Sequence, residues 1–491
     1  MNTYLFKFLF IILIFSTFQN KSLIFPFITL PYEGENIENS LSIEYIENFI
    51  KKSFRNYVYI QLELGSPTQK IYLNIDMDSN DFFLSKLNAN FEKEYPKKNG
   101  NFYFNQNLSK TFSFQSDKIN KKYYSYFQIS EYATDNFLFY TTDKIKNIIK
   151  IENFDFLLAK EVKGPNHGII GLKEEKKDDE RYYFLKALKK YNLINDSIWY
   201  LDYKNKYNGS FIVGNYPHED ENLKAYNNEL YNEKNFINIY TFISKNNWDS
   251  EWGLKFNKIF IKHRDSSLYN EEEISVNCKK CKIALIDLSI NMIIGSKNYK
   301  YIFENSFIHK YINKKICFKQ LIRLNYKSYN FFYYYYCNSS YFNEIKKNFE
   351  PIIFQHMLFQ VNFTLDFEDL YINNDNYFVL TILFEEYNNK NWFLGAPFLR
   401  KYSFYFNSET KEIGFYKPPI NKKNKINFNL KILYDIFIIL SILISIFFIF
   451  KIISFAKNLF KSKRKLRADE LEMINYKSVD LENKYSKINS L

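Results

Sequence analysis

At 491 residues the chain exceeds what one small hydrophobic core requires and suits two lobes with appended segments. Lys and Arg outnumber Asp and Glu by 67 to 54, a formal charge of +13, but the excess is spread along the chain, which argues against a nucleic-acid-binding surface. Aromatic residues make up 20% of the chain, alongside abundant Asn, Lys and Ile. That is the composition of an A/T-rich coding sequence, so an aromatic or basic run carries little weight as a motif here.

Residues 1–20 contain an apolar run, Leu5–Phe18, whose one charge is Lys7, and read as a signal peptide. No small-residue cleavage site is clear, which leaves an uncleaved anchor as the alternative. Residues 21–55 form a short pro-like or linker segment, in which Ile37–Arg55 is mixed in charge and compatible with a helix. Asn56–Leu84 reads NYVYIQLELGSPTQKIYLNIDMDSNDFFL. Strand formers flank a Gly65-Ser66-Pro67 turn, and the second run leads straight into Asp76.

Tyr123–Phe139 is again strand-like, Asn166–Leu172 (NHGIIGL) is a short apolar run, and Asp179–Tyr191 has helical spacing. Lys204–Asn208 is a hairpin tip leading into Asn208–Gly214 (NGSFIVG), and the polar stretch Asn215–Asn235 suits a crossing between lobes. Lys282–Gly295 (KIALIDLSINMIIG) then echoes the first block, with apolar and β-branched residues running into Asp287. A carboxylate at the end of a buried strand is costly unless it is paired, hydrogen-bonded or catalytic. Singly, each Asp is best explained as a turn or cap residue. Together, in matching blocks, they predict two similar lobes that each offer one Asp to a shared cleft.

Cys278, Cys281, Cys317 and Cys337 all lie in the second half. A Cys-x-x-Cys pair is compatible with zinc or redox chemistry, but no second pair or His spacing accompanies it, so no metal or other cofactor is expected. Residues 419–431 are a polar stem. Residues 432–455 are long and apolar enough for a bilayer core, with Asp435 and Lys451 near its ends. Lys461–Arg467 (KSKRKLR) follows within the tail 456–491, a positive-inside signal that puts the C-terminus in the cytosol. The expected protein is a single-pass type I membrane protein of the secretory pathway or cell surface, its globular part lumenal or extracellular. Asn-x-Ser/Thr sites at Asn107, Asn195, Asn208, Asn338 and Asn362 suit that side of the membrane, and Tyr476–Val479 and Tyr485–Ile488 have the form of sorting signals. Both patterns are common by chance in such a composition.

The two blocks resemble those of pepsin-like aspartic proteases, in which a strand, a Gly-x-Pro turn and a second strand lead to Asp-Thr-Gly-Ser. Here that motif is Asp76-Met77-Asp78-Ser79, and its second-lobe counterpart is Asp287-Leu288-Ser289-Ile290. Asn166–Leu172, Asn208–Gly214, Trp392–Arg400 (WFLGAPFLR) and Tyr402–Tyr416 (YSFYFNSETKEIGFY) resemble further family segments in the family's order. The resemblance covers roughly residues 56–418 and implies an all-β, bilobal fold. Its N-terminal lobe would span 56–222 and its C-terminal lobe 223–418, followed by the one transmembrane helix. It also implies disulfides Cys278–Cys281 and Cys317–Cys337, a monomer, and an extended peptide or protein as substrate in the cleft.

The same resemblance implies a catalytic dyad of Asp76 and Asp287, supported by Ser79, and a flap position at Phe114, with Tyr123 as the other candidate. The supporting residues depart from the family pattern. The Thr hydroxyls that normally lock the two Asp loops together are replaced by Met77 and Leu288, and the following Gly residues by Asp78 and Ser289. Asp78 adds a third carboxylate beside the dyad, Ile290 loses a hydroxyl, Phe114 lacks the flap phenol, and His167 and Ala396 replace two Asp residues. Because positioning and preorganisation carry much of enzymatic catalysis, two readings follow. One is a membrane-anchored aspartic endopeptidase. The other is a weak or inactive pseudoprotease that holds extended peptides.

Overall fold

The computed structural model describes residues 22–31, 43–77, 79, 81–91, 102–122, 127–142, 147–163, 168–173, 183–226, 231–240, 252–261, 283–326, 329–356, 361–374, 376–387 and 392–417, with 451, 463, 467 and 469–473 near the C-terminus. Residues through Lys417 form one compact unit and Pro418–Leu491 a second. The first unit is all-β in character, with short helices between strands.

Its strands are, in chain order, β1 (Leu23–Pro31), β2 (Asn56–Leu64), β3 (Gln69–Asp76), β4 (Phe82–Phe91), β5 (Ser113–Lys122), β6 (Phe127–Tyr140), β7 (Ile148–Lys163), β8 (Gly168–Gly171), β9 (Ile198–Tyr203), β10 (Asn208–Val213), β11 (Phe236–Tyr240) and β12 (Gly253–Ile261). They continue with β13 (Ile283–Ile286), β14 (Ile293–Gly295), β15 (Cys317–Tyr326), β16 (Tyr329–Asn338), β17 (Ile352–His356), β18 (Asn362–Leu365), β19 (Tyr371–Asn374), β20 (Tyr377–Leu380), β21 (Ile382–Glu385), β22 (Trp392–Leu394), β23 (Phe404–Asn407) and β24 (Glu412–Tyr416). One sheet of 13 strands runs β11-β24-β23-β9-β10-β1-β2-β3-β8-β4-β7-β6-β5, and one of 11 is built from β12–β22. The alternation of apolar residues explains the pleat. In β2, Val58, Ile60, Leu62 and Leu64 are buried, while Gln61 and Glu63 are half-buried. Each fully buried Val, Leu, Ile or Phe contributes about 1.5–3 kcal/mol relative to exposure.

The chain before the first lobe is part of the folded body. β1 is hydrogen-bonded on one side to β10 and on the other to β2. Pro26 is tolerated inside it because pairing with β2 begins only at Phe27. Helix α1 (Ile43–Phe54) buries Ile46, Ile50 and Phe54 in one cluster with Leu285, Ile294, Phe332 and Tyr334 of the second lobe. The residues assigned to a pro-like or linker segment thus supply a central strand and a helix that packs on the other lobe. The last strands return the favour: β23 pairs with β9 and β24 with β11, so six successive strands, β11-β24-β23-β9-β10-β1, mix elements from both halves of the chain.

Cys317 and Cys337 face one another across the β15–β16 hairpin and form a disulfide. Cys278 and Cys281 lie outside the described residues, as do the signal segment 1–20 and, apart from Lys451, the span 432–455. Among the described residues no helix is long and apolar enough to cross a membrane.

Candidate functional site

Asp76 closes β3 and Asp287 directly follows β13, in equivalent frameworks. In the first lobe β8 lies between β3 and β4, parallel to β3 with Asp76 opposite Gly171, and antiparallel to β4. In the second lobe β22 lies between β13 and β14, parallel to β13 with Ile286 opposite Leu394, and antiparallel to β14. The sequence echo is therefore an echo in three dimensions. Each inserted strand is short and wholly buried, which is why GIIG and WFL read as uninterrupted apolar runs.

Main-chain hydrogen bonds fix each Asp-bearing loop to its inserted strand. Leu172 N donates to Asp76 O (2.8 Å), Lys173 N to Ser79 O (2.8 Å) and Gly171 N to Asp81 O (2.7 Å). In the second lobe Asp287 N donates to Leu394 O (3.1 Å) and Ala396 N to Ile290 O (2.9 Å). Gly395 is required there for space. A Cβ on it would lie 2.3 Å from Met292 O and 2.4 Å from Ile290 O. The Asp287 side chain is buried, and its Oδ1 accepts from Ser289 N at 2.8 Å; Asp76 is half-buried. A carboxylate held by a main-chain N–H is stabilised in its ionised form.

Ser79 is buried and its Oγ accepts from Asp81 N at 3.1 Å. Met77 and Leu288, which stand where hydroxyls were expected from the resemblance, are both buried in one contiguous hydrophobic cluster that spans both lobes. Apolar packing occupies the place of a hydroxyl lock. Asp78, His167 and Tyr123 lie outside the described residues.

Phe114 sits at the open end of the β5–β6 hairpin, opposite Ala133, while the closed end joins Lys122 to Phe127. Its ring is 47% exposed and meets Phe112 edge-to-face at 4.6 Å. Sequence reasoning missed the knot that anchors this hairpin. Asp135 Oδ1 accepts from Ser109 Oγ (3.0 Å), Thr111 Oγ1 (2.5 Å) and Asn136 N (2.8 Å). Ser109 Oγ also accepts from Ser66 N at 3.0 Å, which ties the knot to the turn that Gly65 enters with φ of 90°. The available signal was the pair of Ser/Thr hydroxyls and a lone Asp in a strand, too common to single out.

Among the described residues no group of three or more His, Cys, Asp and Glu is placed to hold a metal ion. What the arrangement offers is two carboxylates, each in a loop held to its inserted strand by main-chain hydrogen bonds.

A family model described as eukaryotic aspartyl protease matches residues 57–417. Among solved structures, the chain is similar to conglutin gamma, a basic 7S globulin from lupine seeds, at 13% identity and a TM-score of 0.53, covering 82% of this chain and 96% of that one. It is also similar to basic 7S globulin from soybean, at 12% identity and a TM-score of 0.47, covering 82% and 98%. No curated protein matches the chain.

Proposed function

Because this chain belongs to the eukaryotic aspartyl protease family, we propose that it is an aspartic endopeptidase that hydrolyses peptide bonds of secretory or membrane proteins. Asp76 and Asp287 form its dyad. The reading is carried by the matched frameworks in which Asp76 closes β3 and Asp287 directly follows β13. Two carboxylates a hydrogen bond apart cannot both remain ionised and share one proton. The ionised member takes a proton from a water molecule, which attacks the scissile carbonyl, while the protonated member polarises the carbonyl oxygen. The tetrahedral intermediate then collapses as the amine leaves with a proton. An extended substrate adds main-chain hydrogen bonds in the cleft, and the side-chain pockets set preference. The enzyme acts as a monomer, tethered by residues 432–455 with its globular part lumenal or extracellular and its C-terminus in the cytosol.

The second reading, a pseudoprotease that holds extended peptides without cutting them, is favoured by one observation: buried, apolar Met77 and Leu288 follow the two Asp residues. The test is incubation of the full chain, beside its Asp76→Asn and Asp287→Asn variants, with a diverse peptide library over a series of pH values from acidic to neutral, because a dyad that shares one proton works only where one member is ionised and the other protonated. Products are read by mass spectrometry. Cleavage by the parent chain and by neither variant supports the endopeptidase. Peptide binding without cleavage in all three supports the second reading. Membrane fractionation of the full chain beside one ending at Asn429 tests the tether.

A further inference from the structure

We propose that Asn56 is a positioning residue for the Asp287 loop, orienting a peptide group whose N–H reaches the Asp287 carboxylate. The inference rests on the dyad reading above. Asn56 opens β2, and β2 pairs antiparallel with β3 so that Tyr59 stands opposite Asn74, which puts Asn56 and Asp76 at the same end of that hairpin. From there Asn56 reaches into the other lobe. Its side-chain Nδ2 donates to Leu288 O at 3.0 Å, and its main-chain N donates to Ser289 O at 2.9 Å.

Leu288 O and Ser289 N belong to the same peptide group. That group is planar and trans, so its carbonyl and its N–H point in opposite directions. Asn56 holds the carbonyl end, and Ser289 N donates to Asp287 Oδ1 at 2.8 Å from the other. Rotation of this plane would turn the N–H away from the carboxylate, and the Asn56 amide opposes that rotation. Hydrogen bonds in series also polarise one another, which strengthens the bond to the charged oxygen. Asn56 is buried, so water does not readily substitute for its amide.

The neighbouring contacts keep Asn56 in place. Asn291 N donates to Phe54 O at 2.8 Å, Arg55 bridges Ile290, and α1 is anchored in the second-lobe cluster through Ile46, Ile50 and Phe54. The strap 43–56 thus follows the second lobe, while β2 belongs to the first-lobe sheet. Met77 and Leu288 carry no hydroxyl with which to make such a cross-lobe link, and the amide of Asn56 makes one.

The test compares the full chain with Asn56→Ala and with Asn56→Leu, which keeps the side-chain volume and removes the donor. Amide hydrogen exchange needs no activity. Both variants are expected to exchange about 10-fold faster over residues 287–292, with the β15–β16 hairpin unchanged. Where the parent chain cleaves peptides, kcat is expected to fall about 10-fold at unchanged KM, and the acid limb of the pH profile to move to higher pH, because the carboxylate loses a donor. Unchanged exchange at 287–292, or a uniform acceleration across the molecule, would overturn the inference. So would local acceleration with unchanged kcat and pH profile in a cleaving enzyme. If the parent chain does not cleave, the endopeptidase reading fails and the exchange result alone decides the role of Asn56.

Discussion

Trp199 stacks on Phe406 with ring centroids 4.2 Å apart and planes 16° from parallel. The two residues face one another across β9 and β23, strands from the middle and the end of the chain, and Trp252 meets Phe406 edge-on at 5.1 Å. Trp252 Nε1 in turn donates to Leu172 O at 3.4 Å, one residue after β8, beside the loop that carries Asp76. The aromatic trio therefore couples the sheet shared by both halves to the candidate site. All three rings are buried, so truncation leaves a large cavity. Phe406→Ala is expected to destabilise the protein by about 3–5 kcal/mol, measured by urea unfolding. A loss below about 1 kcal/mol would mean that the site collapses freely and that the stack is not a structural joint.

Gly395 gives a sharper test of the Asp287 loop. Its φ is ordinary for any residue, so the constraint is space: a methyl group there meets two main-chain oxygens of the 290–292 segment. Main-chain atoms cannot swing aside as a flexible side chain does. Gly395→Ala is expected to cost at least about 2 kcal/mol and to weaken binding of an extended peptide through displacement of the loop. Unfolding curves and peptide titration of the same sample check both. Unchanged binding in a destabilised variant would separate the loop's packing from the cleft.

The Asp blocks were legible because their signals are local. A run of strand formers, a Gly-Ser-Pro turn and a terminal Asp all sit within one short window, and β8 and β22 read as the apolar runs they are. β1 and α1 were not legible as parts of the fold. β1 carries Pro26 and Pro31, which demote a strand on sequence grounds, and its pairing partners β2 and β10 are distant from each other in the chain. α1 is amphipathic, but nothing local says that its apolar face belongs to the second lobe. Asn56 was hidden for the same reason. Its partners, Leu288 and Ser289, are 232 or more residues away, and an Asn before a strand is otherwise an unremarked turn residue.

The Cys317–Cys337 bridge closes a loop of 20 residues around the β15–β16 hairpin. Cross-linking at that separation restricts the unfolded chain, and loss of the bridge by paired Cys→Ser substitution is expected to cost about 2–4 kcal/mol. Both cysteines are buried in the main cluster, so the two serines add the cost of buried hydroxyls. A comparison with paired Cys→Ala separates the two contributions: the alanine variant is expected to keep the larger share of stability. If the alanine and serine variants unfold at the same denaturant concentration, the hydroxyls find partners and the whole effect belongs to the bridge.

The pH dependence of stability has an identifiable contributor in His356. The ring is buried, between Phe256 on β12 and Phe415 on β24, and burial pushes its pKa below the ordinary imidazole value. In the window between that lowered value and the unfolded one, near 6.5, the unfolded state binds more protons than the folded state. Stability from this group is therefore fully present above the unfolded pKa and is lost as pH falls through the window toward the folded value. His218, half-buried with Nδ1 at 2.7 Å from Tyr416 OH, is shifted the same way by burial and adds to the trend. Burial raises the carboxyl pKa values of Asp202 and Glu219, an effect that runs in the opposite direction. The contribution of His356 is best read as a difference. His356→Gln is expected to show a smaller drop in Tm than the parent chain between about pH 8 and pH 5, whatever its stability at the upper end. Parallel Tm curves for the two proteins would mean that His356 does not gain a proton on unfolding.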